Sequence, residues 1–157
     1  MIGRIITALS LLLAPAATQV EGRGLRLTPA EIMALPSVEA GAGTSGVSGI
    51  RTRVLSGNPT SIGPYTIALT VPAHTLISAH RHRDDRVVTV ISGTWEFGYG
   101  TGESQIGKAL GPGSFYTEPA DLAHFARTGS EPVTLYINGF GPTDTVYEEV
   151  SADAQSY

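Results

Sequence analysis

The chain of 157 residues contains no cysteine. That excludes disulfide staples, thiolate metal sites and cysteine nucleophiles, so any bound metal must be held by nitrogen and oxygen ligands. Charge is sparse: 15% of residues carry one, the net charge is −4, and lysine and arginine never form a run. The electrostatic footprint of a nucleic-acid binder is missing. The single long apolar stretch, Ile5 to Ala14, is shorter than the ~20 residues a spanning helix needs. No membrane span is expected in the mature protein.

That stretch has another use. "MIGRIITALSLLLAPAA" sets Arg4 before the apolar run, then Ala14 and Ala16 in an A-x-A arrangement. A charged start, a short apolar centre and a small-residue exit describe a secretory signal peptide. We expect cleavage after Ala16 or Ala17 and a periplasmic or secreted protein, with 1–17 outside the fold.

What the chain does have is 19 glycines and 10 prolines among many Val, Thr and Ile. This composition describes a turn-rich β protein. "LTPAEIMALP" is the exception. Thr28 can cap, Pro29 suits the first helical position, and Glu31 completes a capping box, so a short helix is predicted over 29–35. "EAGAGTSGVSG" then reads as a flexible linker, giving an N-terminal arm over 18–48. From residue 50 the pattern is strand after strand: "IRTRVL", "YTIALTV", "RVVTVI", "TWEFGY", "SFYTE", "LAHFAR", "VTLYIN" and "TVYEEV", separated by Gly/Pro turns. An all-β sandwich or small barrel is expected over 49–150, with a frayed tail at 151–157.

Three of the four histidines fall in this region as candidate ligands. His80 and His82 are two apart, so on a strand they share a face. His124 follows far along the chain, after a proline turn at Pro119. Imidazole is the commonest ligand for Zn, Fe, Ni or Cu. Three histidines leave coordination positions open, the mark of a catalytic rather than a structural ion.

The run "VPAHTLISAHRHRDDRVVTVISG" followed by "GKALGPGSFYTEPADLAHF" resembles the two motifs of the cupin family. His80, His82 and Gly93 fit the first motif; Gly107, Pro112, Gly113 and His124 fit the second. The resemblance covers roughly residues 50–142. It implies an all-β double-stranded β-helix (jelly-roll) barrel with a divalent metal, Fe, Zn, Mn or Ni, held in its mouth by His80, His82 and His124. Two positions depart from the family pattern. His74 stands where a glycine precedes the first histidine, so that turn must tolerate a side chain. Arg86 stands where the motif has its glutamate ligand.

A cation at 86 cannot ligate metal. By parity it points inward with Val88 and Val90, and a second positive charge beside a dication is costly without an anion. Glu118 is the favoured counter-charge: a partner for Arg86, a displaced fourth ligand, or a general base. Asp84 and Asp85 are expected to be solvated or paired with Arg83 and Arg86, with a place in the metal shell as the weaker alternative. Tyr116 shares parity with Glu118, and Tyr136 and Asn138 are polar-capable positions that would line the cavity if they face it. Trp95, Phe97 and Tyr99 mark one apolar face, suited to core or dimer packing.

The function expected from the resemblance is a metal-dependent enzyme, dioxygenase-like or isomerase/lyase-like, acting on a small anionic or enolisable molecule. Arg86 and Glu118 would be its catalytic pair, with Arg86, Tyr116, Tyr136 and Asn138 binding substrate. The alternative is a non-catalytic binder of a sugar acid or other small anion at the cell envelope. A homodimer is expected from the way small cupins pair through sheet faces.

Overall fold

The computed structural model describes residues 24–41, 44–101 and 107–148. The expected signal peptide and the tail at 151–157 lie outside the described residues. Two five-stranded antiparallel sheets face each other. The first runs β1 (Arg51–Ser56), β2 (Gly63–Val71), β9 (Val133–Gly141), β4 (Arg86–Ser92) and β7 (Phe115–Glu118). The second runs β10 (Val146–Tyr147), β3 (Leu76–Arg81), β8 (His124–Thr128), β5 (Trp95–Tyr99) and β6 (Lys108–Leu110).

Alternation builds the interior. In β2, Tyr65, Ile67, Leu69 and Val71 are buried; in β9, Val133, Leu135 and Ile137; in β4, Val88 and Val90. Trp95, Phe97, Leu110, Ile77 and Ala126 meet them from the second sheet. Each large aliphatic side chain so buried contributes about 1.5–3 kcal/mol.

A short helix, α1 (Pro29–Ala34), precedes the barrel. Its capping box forms as the sequence predicts: the Thr28 hydroxyl accepts from the Glu31 amide, and the Glu31 carboxylate accepts from the Thr28 amide at 2.7 Å. The arm then bridges to β1 through Val38 and Thr52. Beyond it the linker expectation fails, because Thr44 is buried and its carbonyl accepts from the Thr145 hydroxyl at 3.0 Å. The Ser45 carbonyl accepts from the Tyr147 hydroxyl at 2.6 Å. Two side chains from the far end of the chain pin this segment across the barrel mouth.

A strand carrying His80 and His82 is expected from their spacing; β3 contains His80 and ends one residue before His82. β6, only three residues long, is not visible in the sequence pattern. The turn before β3 carries His74 at φ 55°, a left-handed conformation that suits glycine. That conformation costs a non-glycine residue about 1–2 kcal/mol, offset in part by the entropy glycine loses on folding. The His74 side chain is exposed, so little packing is at stake. His74→Gly is expected to raise stability by up to about 1 kcal/mol in urea denaturation; a lower midpoint would refute the strain argument.

Candidate metal centre

His80 owes its direction to a bulge. Ile77 pairs with Ala126 and His80 with His124, so three steps along β3 match two along β8. One extra residue in a strand re-aims the side chains beyond it. Without it Ala79 would face His124 and His80 would turn outward. His82 lies one residue beyond β3, past the reach of strand alternation, and its Nδ1–H donates to the Asp144 carbonyl at 2.5 Å. His124 opens β8.

The three imidazoles share one arrangement. His80 Nδ1 bonds the Ser78 carbonyl at 2.7 Å and His124 Nδ1 the Leu122 carbonyl at 2.9 Å. A carbonyl only accepts, so each Nδ1 carries the proton and each Nε2 presents a lone pair. The ligating atoms lie within 4.8 Å of one another. Burial keeps the rings neutral. It takes His80 down to about 4, helped by His124, and His82 down to about 3, helped by Arg86. Burial lowers His124 as well, against the pull of Glu118.

Beside them stands a buried ion pair. Arg86 and Glu118 are direct cross-strand partners, 5% and 4% exposed. Arg86 Nε donates to Glu118 Oε2 at 2.6 Å, and its NH2 group contacts the same oxygen. The NH2 group also donates to His82 Nε2 at 2.6 Å. Burial pushes the Glu118 carboxyl up, but the charge of Arg86 outweighs it and holds the group at about 2. Glu118 Oε2 lies 3.7 Å from His82 Nε2 and 4.0 Å from His124 Nε2. Tyr116 Oη accepts from Trp95 Nε1 at 2.9 Å, beside the cavity that Glu118 also lines. Burial, with the Glu118 charge, raises Tyr116 well above the usual phenol value, so it is a neutral donor.

These groups surround a cavity of about 30 Å³, walled by Trp95, Phe97 and Tyr116 and closed by Thr44, Ser45 and Thr145. That is room for one or two waters. Trp95 and Phe97 belong to the core, as expected, and also form its wall. Tyr99 is exposed instead, its hydroxyl on the Thr117 carbonyl at 2.7 Å.

Three expectations are corrected. Tyr136 and Asn138 turn away from the cavity, because Val133, Leu135 and Ile137 take the inner face of β9. Asn138 accepts instead from Thr66 on the outer face at 2.8 Å. Asp84 is buried rather than solvated: Tyr65 donates to it at 2.8 Å and Thr143 at 2.6 Å. That network fills the space beside Gly139, where a Cβ would come within 2.4 Å of the Tyr65 hydroxyl. Asp85 is exposed and accepts from the Ala120 amide at 2.8 Å, so neither aspartate joins the histidine cluster.

The donor set fits a divalent ion. Three neutral imidazoles converge, and His124 Nε2 is buried with no hydrogen-bond partner. An orphaned buried acceptor is expensive unless something binds it. Arg86 and Glu118 cancel each other, so the pocket itself adds no net charge to balance a dication.

Two facing sheets in this strand order, with the histidine pair leading into β4 and the third histidine opening β8, settle the architecture. The chain has the cupin fold. No family model and no curated protein sequence matches it. Among solved structures, the polyketide cyclase RemF from Streptomyces resistomycificus matches with a TM-score of 0.65 at 14% identity, over 83% of this chain and 89% of that one. The DMSP lyase DddQ from Ruegeria pomeroyi DSS-3 matches at 0.57 and 18%, over 80% and 64%. A structure of DMSP lyases RdDddP and RnDddQII matches at 0.55 and 18% over 64% of this chain, which spans only 53% of that chain's length. A cupin 2 conserved barrel domain protein from Rhodopseudomonas palustris matches at 0.54 and 14%, over 64% and 68%. The cupin barrel therefore hosts enzymes among its neighbours, and at these identities the likeness is one of fold. Within it, Arg86 on β4 and Glu118 on β7 sit directly across from each other.

Proposed function

We propose that this is an exported metal-dependent cupin enzyme that removes a proton from a small anionic, enolisable molecule, in the manner of a lyase or isomerase. The observation that carries it is the convergence of three Nε2 lone pairs beside a buried, ionised Arg86–Glu118 pair. A divalent ion held by His80, His82 and His124 would supply Lewis-acid polarisation of a substrate oxygen. Arg86, buried beside the cavity, offers N–H donors to the substrate's negative charge. Glu118, ionised and beside the cavity, is the proton acceptor, and Arg86 holds its orientation. Because the carboxylate is a weak base while Arg86 grips it, only a carbon acid already polarised by a cation is within its reach. Fold alone does not choose a reaction. Export rests on the N-terminal sequence. Pairing of two chains rests on the outer face of β4, β7 and β9, where Val87, Ile91, Phe115 and Phe140 are exposed without a charge among them.

Native mass spectrometry of metal-stripped protein titrated with zinc reads ion content and chain number together. One ion per chain is expected, and none in His124→Ala. Exchange of carbon-bound protons in D₂O, followed by NMR across a panel of small oxo and hydroxy acids, tests the chemistry. Exchange should occur with at least one acid and vanish in Glu118→Gln. Zinc binding without exchange on any acid would replace the enzyme with a non-catalytic binder.

A further inference from the structure

We infer that Arg86 is a latch on the metal site: it occupies the lone pair of His82 that a cation would need, and loading the site requires it to let go. The inference rests on the metal reading above and deepens it. A neutral imidazole has one lone pair, on the nitrogen that carries no proton. In His82 the proton is on Nδ1, committed to the Asp144 carbonyl, so the lone pair is on Nε2. That atom accepts from Arg86 NH2 at 2.6 Å. It cannot accept that N–H and coordinate an ion at once.

The three rings are therefore not equivalent. His124 Nε2 has no hydrogen-bond partner, while His82 Nε2 is closed by a charged donor. Arg86 is held from behind, since its Nε donates to Glu118 Oε2 at 2.6 Å and its NH2 group reaches the same carboxylate. Opening the latch thus means giving up one hydrogen bond while the ion pair persists. The NH2 proton released from His82 then faces the cavity. An anionic group binding there replaces His82 as its acceptor and also offsets the uncompensated charge of the dication. Metal loading and anion binding are coupled through this one side chain, each favouring the other. The arginine makes a full site conditional on an anion.

Two measurements test this. In the metal-free protein the Arg86 Nη protons should be protected from solvent exchange by NMR. Adding zinc should remove the protection of the Nη proton held by His82 while the Nε and Nη protons on Glu118 keep theirs. Separately, zinc affinity is compared by chelator competition in Glu118→Gln and in Glu118→Gln/Arg86→Met. The first keeps a donor on His82 and the second removes it without stranding a buried charge. The double variant should bind zinc about tenfold or more tightly, the scale on which groups contacting metal-bound histidines alter affinity. Acetate should tighten zinc binding in the wild type and not in the double variant. Equal affinities in the two variants, or Nη protection unchanged by zinc, would overturn the latch and leave the metal site standing. Zinc binding by the double variant alone would support the latch in its strongest form. Failure of every variant to bind zinc would overturn both readings.

Discussion

Glu118→Ala is expected to destabilise the metal-free protein by about 3–5 kcal/mol, the range seen when one partner of a buried ion pair is removed. The loss should exceed that of Arg86→Met, and the asymmetry is the informative part. Arg86 is buried, and its charge pair faces it from the adjacent strand. A guanidinium cannot shed its proton in a protein, so without Glu118 a full positive charge is stranded in the barrel. Tyr116 can offer it an oxygen but no counter-charge. In Arg86→Met the stranded group is Glu118, which has an exit: its carboxyl rises from about 2 and protonates. Each unit of that rise costs about 1.4 kcal/mol at neutral pH, and protonation caps the penalty. The double variant Glu118→Gln/Arg86→Met, with no charge to strand, should recover most of the loss. Urea denaturation of the three variants at one pH gives the order. A Glu118→Ala loss below about 1 kcal/mol would mean that water reaches Arg86 and that the pocket is not dry.

The barrel is legible in the sequence because its inner faces alternate plainly. Val133, Leu135 and Ile137 mark β9, and Val88 and Val90 place Arg86 inside with them. The same parity assigns Tyr136 and Asn138 to the outside; the signal is present, and the polar side chains outweigh it. Glu118 emerges from parity together with charge, since an inward cation needs an anion and Tyr116 marks that face. The bulge in β3 is not legible. "TLISAHRHR" contains neither a glycine to suggest an irregularity nor an apolar rhythm to betray a missed step. Its effect on His80 emerges only from pairing with β8, roughly forty-five residues later. Asp84 is misplaced for a related reason. Its burial depends on Tyr65 and Thr143, contributed by segments 19 and 59 residues away, and nothing local distinguishes it from Asp85. The closure of the cavity by Thr44 and Ser45 is hidden in a stretch whose composition is that of a linker. Sequence patterns report on a residue's neighbours in the chain; these features are set by neighbours in space.

Acidification from pH 7 to 4 is expected to remove most of the stability of the metal-free protein, well before the Arg86–Glu118 pair is protonated. The folded pKa values of His80 and His82 lie at about 4 and about 3, below the 6.5 of an unstructured histidine. Between 6.5 and 4 the unfolded chain therefore binds protons that the folded chain does not. Stability is complete above pH 6.5 and falls as pH drops through that window. Two such rings give a slope approaching about 3 kcal/mol per pH unit, and on the order of 7 kcal/mol by pH 4. His124 adds in the same direction. That is comparable to the whole stability of a domain of this size, about 5–15 kcal/mol. Glu118 behaves differently: held at about 2, it contributes stability above its unfolded value of 4.5 and loses it only as pH falls toward 2. Urea midpoints at pH 7, 6 and 5 should decline steeply, and a flat profile over that range would show that the rings are hydrated in the folded state. Saturating zinc should stabilise the protein at every pH where the rings can hold it, because the ion binds only their neutral form. The steepness comes chiefly from burial. The barrel buries three bases, and the desolvation of a protonated ring outweighs the attraction of Glu118, a carboxylate that Arg86 already shares. The arrangement that excludes a proton from these lone pairs is also the one that keeps them available to a cation.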